Sequence, residues 1–346
     1  MKLKLNTLID FIKQNPGLSS KEIYDKNFGD LISYATLKRL LQNLESDNLI
    51  EVTGKGKATR YFVSRAYEVL YEVNVSDYFK FEIDDRKIKD RFNYALMPEI
   101  LKNIHLFDTE ELNFLNNLQN QYTKKITTLS PTLYNKEMER LAIDLSWKSS
   151  QIEGNTYSLL ETERLFKDKQ TATGKTKDEA VMLLNHKEAI EFIVENTDYI
   201  NPIELRSIED IHSILIRELG VDRNIRVRSV GISGTNYRPI ENDFQIKETM
   251  TELCGLINSK INVFEKAFLA LIMISYIQPF NDGNKRTARI ISNAILMNND
   301  YCPISYRTVD SIEYKKAMLI FYEQNNISAI KKIFIEQFNF AVDTYF

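Results

Sequence analysis

The chain contains few of the residues that interrupt helices, with 11 Gly and 7 Pro among 346 residues, and it has only 2 Cys and 3 His. Scarce Gly and Pro beside abundant Leu, Ile, Lys and Glu predict a mainly helical protein. His105, His186 and His212 have no zinc-ligand spacing with the cysteines, which argues against a zinc site. His186 and His212 lie on apolar helix faces, where packing is the expected role. The few cysteines, Cys254 and Cys302, favour a cytosolic protein with reduced thiols, so we expect a cytoplasmic location.

Long apolar runs are also lacking. No run reaches the roughly 18 residues that a membrane span needs, so we expect no span. The first residues have no apolar stretch with a cleavage site, so no signal peptide is expected. A net charge of −3 gives no general indication of nucleic acid or anionic membranes as partners. The length suffices for two or three soluble domains, and whether they form a homo-oligomer stays open.

Residues 1–65 have the pattern of a separate small domain. Apolar spacing predicts helices over 5–14 and 20–25 and a third after a Ser33 cap, followed by strands at 49–52 and 60–63. This order resembles a winged helix-turn-helix domain, whose third helix enters the major groove of DNA while the wing contacts phosphates. The candidate DNA-binding residues are Lys38, Arg39, Lys55, Lys57 and Arg60. Because such domains also bind proteins, both DNA and protein partners stay open.

Residues 66–105 predict a packed linker, because five aromatic side chains between positions 67 and 81 are too apolar to remain in water. From 106 to 346, a second domain is predicted to be helical. Residues 226–240 interrupt it, and alternating apolar residues with glycine turn signals predict a β-hairpin there.

Residues 277–289 read I-Q-P-F-N-D-G-N-K-R-T-A-R and join two apolar helices. Gly283 lets the backbone pass close to an anion. The free N–H groups and the dipole of the following helix attract that anion. Asp282 is a hard oxygen ligand that suits the Mg²⁺ accompanying a nucleotide. The cations that can neutralise phosphate oxygens are Lys285, Arg286 and Arg289. Together these residues predict a polyphosphate site.

The stretch resembles the motif of the Fic (filamentation induced by cAMP) family, H-x-F-x-[DE]-G-N-[GK]-R-x-x-R, at every defined position except the first. The resemblance implies a helical Fic-type domain that transfers AMP from ATP, with Mg²⁺, to a Ser, Thr or Tyr hydroxyl of a target protein. It implies that Asp282 holds Mg²⁺ and that Phe280 packs beneath the loop. The implied nucleotide-binding residues are Phe280, Gly283, Asn284, Lys285, Arg286 and Arg289, and the implied catalytic residues are Gln278, Asp282, Asn284 and Arg286.

Gln278 stands where the family has the histidine that takes the proton from the attacking hydroxyl. An amide oxygen accepts a hydrogen bond but is not a useful base, and losing a general base costs about 10²–10⁴-fold in rate. Three explanations stay open. In the first, the glutamine is natural, and the protein is a weakened transferase or a nucleotide-binding pseudoenzyme. In the second, the glutamine is an engineered substitution. In the third, the site catalyses another reaction, such as removal of AMP from a target with Glu153 as the base.

A periodic helix over residues 134–147 runs into the sequence S-S-Q-I-E-G-N. This segment resembles the inhibitory motif of the family, [ST]-x-x-x-E-[GN], whose glutamate pairs with the second arginine of the Fic motif, here Arg289. A carboxylate that holds this guanidinium would occupy the place of the γ-phosphate. The implied inhibitory residues are Ser149, Glu153, Gly154 and Asn155. Read without the resemblance, the segment is a helix that ends at a Gly-Asn cap.

Residues 228–239 resemble the Fic flap, a hairpin that presents a backbone edge to an extended target segment. The implied target-binding residues are Gly231, Ile232, Ser233, Gly234, Thr235, Asn236 and Tyr237. A plain structural hairpin is the alternative.

Two functions from different classes therefore compete. The first is a self-inhibited protein adenylyltransferase that Gln278 impairs. The second is a DNA-binding transcriptional regulator that senses nucleotide through a weak or inactive Fic-like domain. Phosphotransfer of the Doc type is a weaker third, because Doc-type proteins take their inhibitor from a separate chain.

Overall fold

The computed structural model describes residues 2–64 and 66–346, and the chain forms two compact units. Unit 1 takes the chain up to Val73 together with Tyr94–Glu110, and unit 2 takes Asn74–Asn93 together with Glu111–Phe346. The segment predicted as a linker, residues 66–105, is thus divided between the two units.

Unit 1 begins with three α-helices and a two-stranded hairpin, and a short fourth α-helix and a second π-helix follow. Its elements are α1 (Lys2–Gln14), α2 (Ser20–Ile23) continuing as a π-helix (Tyr24–Phe28), α3 (Tyr34–Ser46), β1 (Ile50–Thr53), β2 (Arg60–Val63), α4 (Tyr67–Leu70) and a second π-helix (Leu96–Leu101). The Ser33 hydroxyl accepts a hydrogen bond from the Thr36 amide at 3.2 Å, which caps α3 as predicted. The strands are antiparallel, and Ile50 pairs with Val63.

The core of unit 1 comes from the apolar stripe of α3. Leu37, Leu40, Leu41 and Leu44 recur at helical spacing and are buried in one core cluster with Leu8, Ile9 and Ile12 of α1. The polar face of α3 is left towards solvent.

Unit 2 consists of helices joined by loops. They are α5 (Val75–Tyr78), α6 (Thr109–Thr128, whose first two residues fall in unit 1), α7 (Pro131–Ile152), α8 (Leu159–Asp168), α9 (Lys177–Glu195), α10 (Leu205–Leu215), α11 (Asp243–Ser259), α12 (Val263–Ile277), α13 (Asn284–Asn298), α14 (Ser311–Gln324) and α15 (Ser328–Tyr345). The loop that connects α10 to α11 is long. The mainly helical fold class is confirmed.

The centre of unit 2 is α12. Its sequence is apolar on all sides, and residues from Phe264 to Ile277 are almost all buried. A helix without a polar face must be surrounded by other helices. It packs on α13, and α11 and α14 also contact it, so the loop between α12 and α13 is anchored at both ends by the best-packed part of the unit.

One predicted element is not formed. In the described part of the chain the only strand pair is β1–β2, and residues 226–240 are irregular, with a turn at Ser233–Gly234 and a single bridge from Arg238 to Arg91. The expected β-hairpin is therefore wrong. Side-chain hydrogen bonds hold the segment in place of a strand ladder. The alternating sequence pattern of the segment does not indicate these bonds.

Cys254 and Cys302 are both buried and free. Among the helices of residues 2–64 and 66–346, none combines the length and the apolar character needed to cross a membrane.

Candidate active site

The loop between α12 and α13 turns sharply at two residues in the left-handed region. Gln278 ends α12 at φ 53°, and Gly283 precedes α13 at φ 80°. The positive φ favours glycine, and a Cβ here would also press on Ile216 Cγ2 at 3.1 Å. The loop thereby delivers the chain to the start of α13, where the first amide groups have no partners within the helix.

Asn284 closes this loop from within. Its side-chain Oδ1 accepts from the Phe280 amide at 2.8 Å, and its Nδ2 donates to the Phe280 carbonyl at 2.8 Å and to Gln278 Oε1 at 3.0 Å. These bonds commit the amide of Asn284 to the loop. Its contribution to an anion site would come from its backbone N–H, at the first position of α13.

Gln278 is buried, and both ends of its amide are engaged. Its Nε2 donates to the Ser275 carbonyl at 2.6 Å, while Oε1 accepts from Asn284. The side chain therefore has one orientation, set by α12 on one side and by the loop on the other. It lines the cleft with an amide that can accept one more hydrogen bond but cannot take up a proton at neutral pH.

His212 on α10 supports the loop from below. Its ring stacks on Phe280 with centroids 3.6 Å apart and planes 3° from parallel, and its Nε2 is 3.0 Å from the Asp282 carbonyl. Burial lowers the pKa of His212 to about 4. The neutral ring therefore donates from Nε2, so His212 packs, as predicted, and it also fixes the loop through a hydrogen bond.

Asp282 and Arg286 form a pair at the mouth of the site. Arg286 is buried, and its Nη2 donates to Asp282 Oδ2 at 3.2 Å. Burial lowers the pKa of Arg286, and Asp282 opposes that shift. The Asp282 carboxyl is more than half exposed, so its free oxygen faces solvent and suits a hard cation.

Arg289 is fully buried one turn further along α13. Its Nε donates to the Ser149 hydroxyl at 2.8 Å and its Nη2 to the Ser149 carbonyl at 2.9 Å. The same Nη2 donates to Glu153 Oε1 at 2.9 Å, and Lys285 Nζ lies 3.3 Å from Glu153 Oε2. One carboxylate thus holds two of the three cations of the loop and helix.

The charge state of Glu153 follows from these neighbours. Burial alone would raise the pKa of its carboxyl, but the positive charges of Arg289 and Lys285 outweigh burial and lower it. Glu153 is therefore ionised at neutral pH and remains so under mildly acidic conditions.

The turn after α7 holds Glu153 in place. Gly154 has φ 102°, and the buried Asn155 donates from Nδ2 to the Glu179 carbonyl at 2.8 Å. The Glu179 carboxylate accepts from the amide and hydroxyl of Thr156, and hydrogen bonds led by the Thr156 hydroxyl lower its pKa to about 2. Thr176 completes a capping box with Glu179 at the start of α9. The turn is therefore tied to α9.

Arg226 organises the irregular segment over residues 226–240. Its buried guanidinium donates to the carbonyls of Gln278 (Nε, 2.6 Å), Arg228 (Nη1, 2.8 Å) and Ile240 (Nη2). One side chain thereby ties both ends of the segment to the last residue of α12 and takes the place of a strand ladder.

The residues predicted to bind the target divide into two groups. Gly231, Ile232, Ser233 and Gly234 line the cleft. The other three residues form hydrogen bonds within the protein. Tyr237 donates its hydroxyl to the Tyr276 carbonyl at 3.0 Å, Thr235 Oγ1 accepts from the Tyr237 amide, and Asn236 donates to Asp84.

A cleft of about 510 Å³ joins these parts. It is bounded by Glu153, the loop and first turn of α13 from Asn281 to Arg286, residues 230–234, and α14 from Tyr314 to Tyr322. Arg289 lies behind Glu153. Of the predicted catalytic, nucleotide-binding and inhibitory residues, the cleft is lined by Gln278, Asp282, Gly283, Asn284, Lys285, Arg286 and Glu153. Phe280, Arg289, Ser149, Gly154 and Asn155 do not line it, and Phe280 and Arg289 are fully buried. The contact between Ser149 and Arg289 joins residues that are 140 positions apart in sequence.

For a metal ion, the residues 2–64 and 66–346 contain no group of three or more His, Cys, Asp or Glu that could hold one. Mg²⁺ usually takes one or two carboxylates and completes its shell with water and substrate phosphates. The single exposed carboxylate of Asp282, beside an anion-binding helix start, fits that requirement.

The residues predicted to contact DNA lie in unit 1. Lys38 and Arg39 are exposed on α3, and Lys55 and Lys57 are exposed in the turn between β1 and β2. Arg60 is half-buried and donates to the Lys57 and Thr59 carbonyls, so it is engaged within the hairpin.

Sequence reasoning missed Glu179 and Arg226, and for His212 it gave the packing role but missed the hydrogen bond to the loop. The T-x-x-E spacing of Thr176 and Glu179 is a capping-box signal that could have found this glutamate. His212 and Arg226 act through partners about 50 to 70 residues away in sequence, and no local pattern reports such contacts.

The family model described as Fic/DOC family matches residues 202–296. This part of the chain is therefore similar to the Fic/DOC family. Over 175 residues, the chain is 31% identical to the protein adenylyltransferase Fic of Nematostella vectensis. The matched stretch covers 49% of this chain and 40% of that protein. Over 166 residues the chain is 30% identical to the Aedes aegypti protein of the same name, covering 46% and 32% of the two chains. It thus spans less than half the length of these curated relatives.

The fold is similar to solved structures. The structure of Fic-1 (residues 134–508) from Caenorhabditis elegans superposes with a TM-score of 0.60 at 18% identity and covers 68% of this chain and 72% of that one. A Fic family protein from Desulfovibrio desulfuricans gives a TM-score of 0.57 at 19% identity, covering 68% and 72%. At these identities the likeness concerns the fold.

Proposed function

We propose that this chain belongs to the Fic/DOC family and is a protein adenylyltransferase that moves AMP from ATP to a Ser, Thr or Tyr hydroxyl of a target protein. We further propose that Glu153 inhibits it and that Gln278 slows it. The relatives named protein adenylyltransferase support the reaction class.

The observation that carries the proposal is the composition of the cleft. It combines the open start of α13, the cations Lys285 and Arg286, and the exposed Asp282 carboxylate, all of which suit a triphosphate with its cation. The free amide groups at the start of α13 would receive the α-phosphate region, and Arg286 would receive the outer phosphates.

In the proposed step, the oxygen of the target hydroxyl forms a bond to the α-phosphorus. The bond from that phosphorus to the bridging oxygen breaks, pyrophosphate leaves, and the hydroxyl proton is released. Residues 229–233 form no backbone hydrogen bond to any described residue, so they offer an unpaired edge for an extended target segment. The proposed edge is irregular chain, which replaces the hairpin that we had expected.

Gln278 would orient the attacking hydroxyl through its amide oxygen but would not accept the proton. Because positioning and phosphate electrostatics carry most of the catalysis in phosphoryl chemistry, a slow reaction remains. Asp282 would hold Mg²⁺, which when bound neutralises charge that develops on the phosphate oxygens.

Glu153 would inhibit by competition. It occupies the Arg289 guanidinium and the Lys285 ammonium group, which are the groups that an outer phosphate would need. The two hydrogen bonds from Arg289 to Ser149 do not involve Glu153, so the arginine would stay in position when the carboxylate is displaced.

The test is label transfer to protein from ATP labelled at the α-phosphate, comparing Glu153→Gly with Glu153→Gly/Gln278→His. We expect the second variant to transfer faster by about 10²–10⁴-fold. ATP labelled at the γ-phosphate is the control and should leave no label, because phosphotransfer would otherwise explain the signal. No transfer of α-label by either variant would contradict the proposed activity.

The alternative is a nucleotide-sensing transcriptional regulator. It is favoured by the exposed cations of unit 1, on α3 and on the turn between the strands, in an order of elements typical of a winged helix. A salt-dependent DNA shift assay with Lys38→Ala/Arg39→Ala tests it. Unchanged binding in this variant would exclude recognition by α3.

A further inference from the structure

A second groove adjoins the cleft on unit 2. It has a volume of about 410 Å³ and lies between residues 79–86, the turn at Gly234 and the first half of α14. Gly234, Lys315 and Leu319 line both the groove and the cleft. The two concavities therefore form one continuous surface, with Lys315 and Leu319 at the junction.

The groove is built from fixed parts. Tyr78 donates its hydroxyl to Glu323 Oε2 at 2.5 Å, and Arg86 pairs with Glu323 Oε1 at 3.4 Å, with both charged side chains buried. Arg86 Nη2 also donates to the Gly234 carbonyl at 2.6 Å. One buried arginine thus connects the wall of the groove, the turn and the end of α14.

The groove exposes large apolar side chains. Phe81 is 61% exposed and Ile312 is 63% exposed, and both line the groove, Phe81 from the segment of residues 79–86 and Ile312 from α14. Leu319 lines both the groove and the cleft. Two such residues facing one concavity offer a pocket for an apolar side chain of another chain.

The charges of the groove are separated by position. Glu82 is exposed and lines the groove from the segment of residues 79–86, whereas, among the described residues, the only charged one that lines both the groove and the cleft is Lys315. Arg86 and Lys316 line the groove but are paired with Glu323 and Glu313. Lys315 is exposed, and no described residue forms an ion pair with it. An acidic side chain at the junction would therefore complement Lys315, whereas a basic one at the same place would be repelled.

We propose that this groove binds the target polypeptide on one side of the modified hydroxyl, taking a large apolar side chain between Phe81 and Ile312 and an acidic side chain beside Lys315. The inference rests on the proposed function, because the occupant is the polypeptide whose hydroxyl enters the adjoining cleft. It adds sequence selectivity to a backbone edge that by itself reads little sequence.

The probe is a set of synthetic peptides with a central tyrosine in a glycine–serine background. Each carries Leu-Glu, Leu-Lys or Ser-Ser at one position before or after the tyrosine, and fluorescence anisotropy reports binding to the full chain without ATP. At one spacing we expect Leu-Glu to bind about five- to tenfold tighter than Leu-Lys. Lys315→Glu should reverse this preference, and Ile312→Ser should bring Leu-Glu close to Ser-Ser.

Matched controls separate the groove from general charge and apolarity. Lys136→Glu changes another exposed lysine of unit 2, and Ile261→Ser changes an isoleucine that is 97% exposed away from the groove. Both should bind the peptides as the wild type does. The proposal would be overturned if the wild type showed no preference for Leu-Glu over Leu-Lys, or if Lys315→Glu left that preference unchanged. It would also be overturned if sedimentation showed a dimer that Ile312→Ser abolishes, because a second copy of the chain would then occupy the groove.

Label transfer is read separately. Peptide selectivity without any label transfer would support the proposed role of the groove and contradict the proposed activity. Label transfer without peptide selectivity would support the activity and contradict the role of the groove.

Discussion

Replacing Glu153 with glycine should tighten ATP binding by about 10- to 100-fold. In the wild type an outer phosphate must displace the carboxylate from Arg289 Nη2 at 2.9 Å and from Lys285 Nζ at 3.3 Å. Hydrogen bonds to charged groups contribute about 1.5–3 kcal/mol, and each 1.4 kcal/mol is tenfold in affinity. Ser149 keeps Arg289 in place in the variant, so the freed guanidinium remains available to phosphate.

The assay is calorimetry with ATP and Mg²⁺ at neutral pH. Glu153 has φ −90°, which glycine adopts without strain, so the fold should persist, and circular dichroism checks this. Glu153→Gln is the matched control, because it keeps the size of the side chain and removes its charge, and it should give an intermediate affinity. Equal affinity in all three proteins would refute the competition between Glu153 and phosphate.

The pH dependence of this inhibition follows from the lowered pKa of Glu153. A carboxyl with a lowered pKa keeps its charge above that pKa and loses it as the pH falls through it. The affinity difference between wild type and Glu153→Gly should therefore be constant around neutrality and shrink only in acid.

Three further predictions concern the loop and its supports. Asp282→Ala should abolish the Mg²⁺-dependent part of ATP binding, and calorimetry showing the same Mg²⁺ effect as in the wild type would refute the assigned ligand. Arg226→Lys cannot reach three carbonyls at once and should lower the free energy of unfolding by about 2–4 kcal/mol; an unchanged urea midpoint would contradict this. The pKa of His212 is about 4 in the folded protein and near 6.5 in the unfolded chain. The stabilisation that the neutral ring gives is therefore complete above pH 6.5, and the free energy of unfolding should fall by up to about 3 kcal/mol as the pH drops to 4. His212→Phe keeps the stack on Phe280, so its free energy of unfolding should fall less than that of the wild type between pH 7 and pH 4.5. Equal decreases in urea denaturation of the two proteins would contradict this role of His212.

The helices were predictable because their signals are local. The leucines of α3 recur at helical spacing, Ser33 is a capping residue, and the apolar run of α12 ends at a proline-containing loop. Each signal acts within a few residues, so an unaligned sequence contains it.

The segment over residues 226–240 shows where local reading failed. Its alternating apolar residues satisfy a strand pattern, yet Arg226 and Tyr237 hold it through carbonyls of Gln278 and Tyr276. A side chain that replaces a strand ladder depends on partners elsewhere in the chain, and the pattern of the segment itself does not record them.

The sequence by itself determined the helical class, the turn at Gly283 and the set of charged groups between Gln278 and Arg289, because conformational preference and charge belong to individual residues. Only the tertiary structure decided how those groups are used. Folding brought Ser149 and Glu153 to Arg289 and committed the amides of Asn284 and Gln278 to the loop. Such pairings depend on distance in space, which packing around α12 sets and which no spacing along the chain encodes.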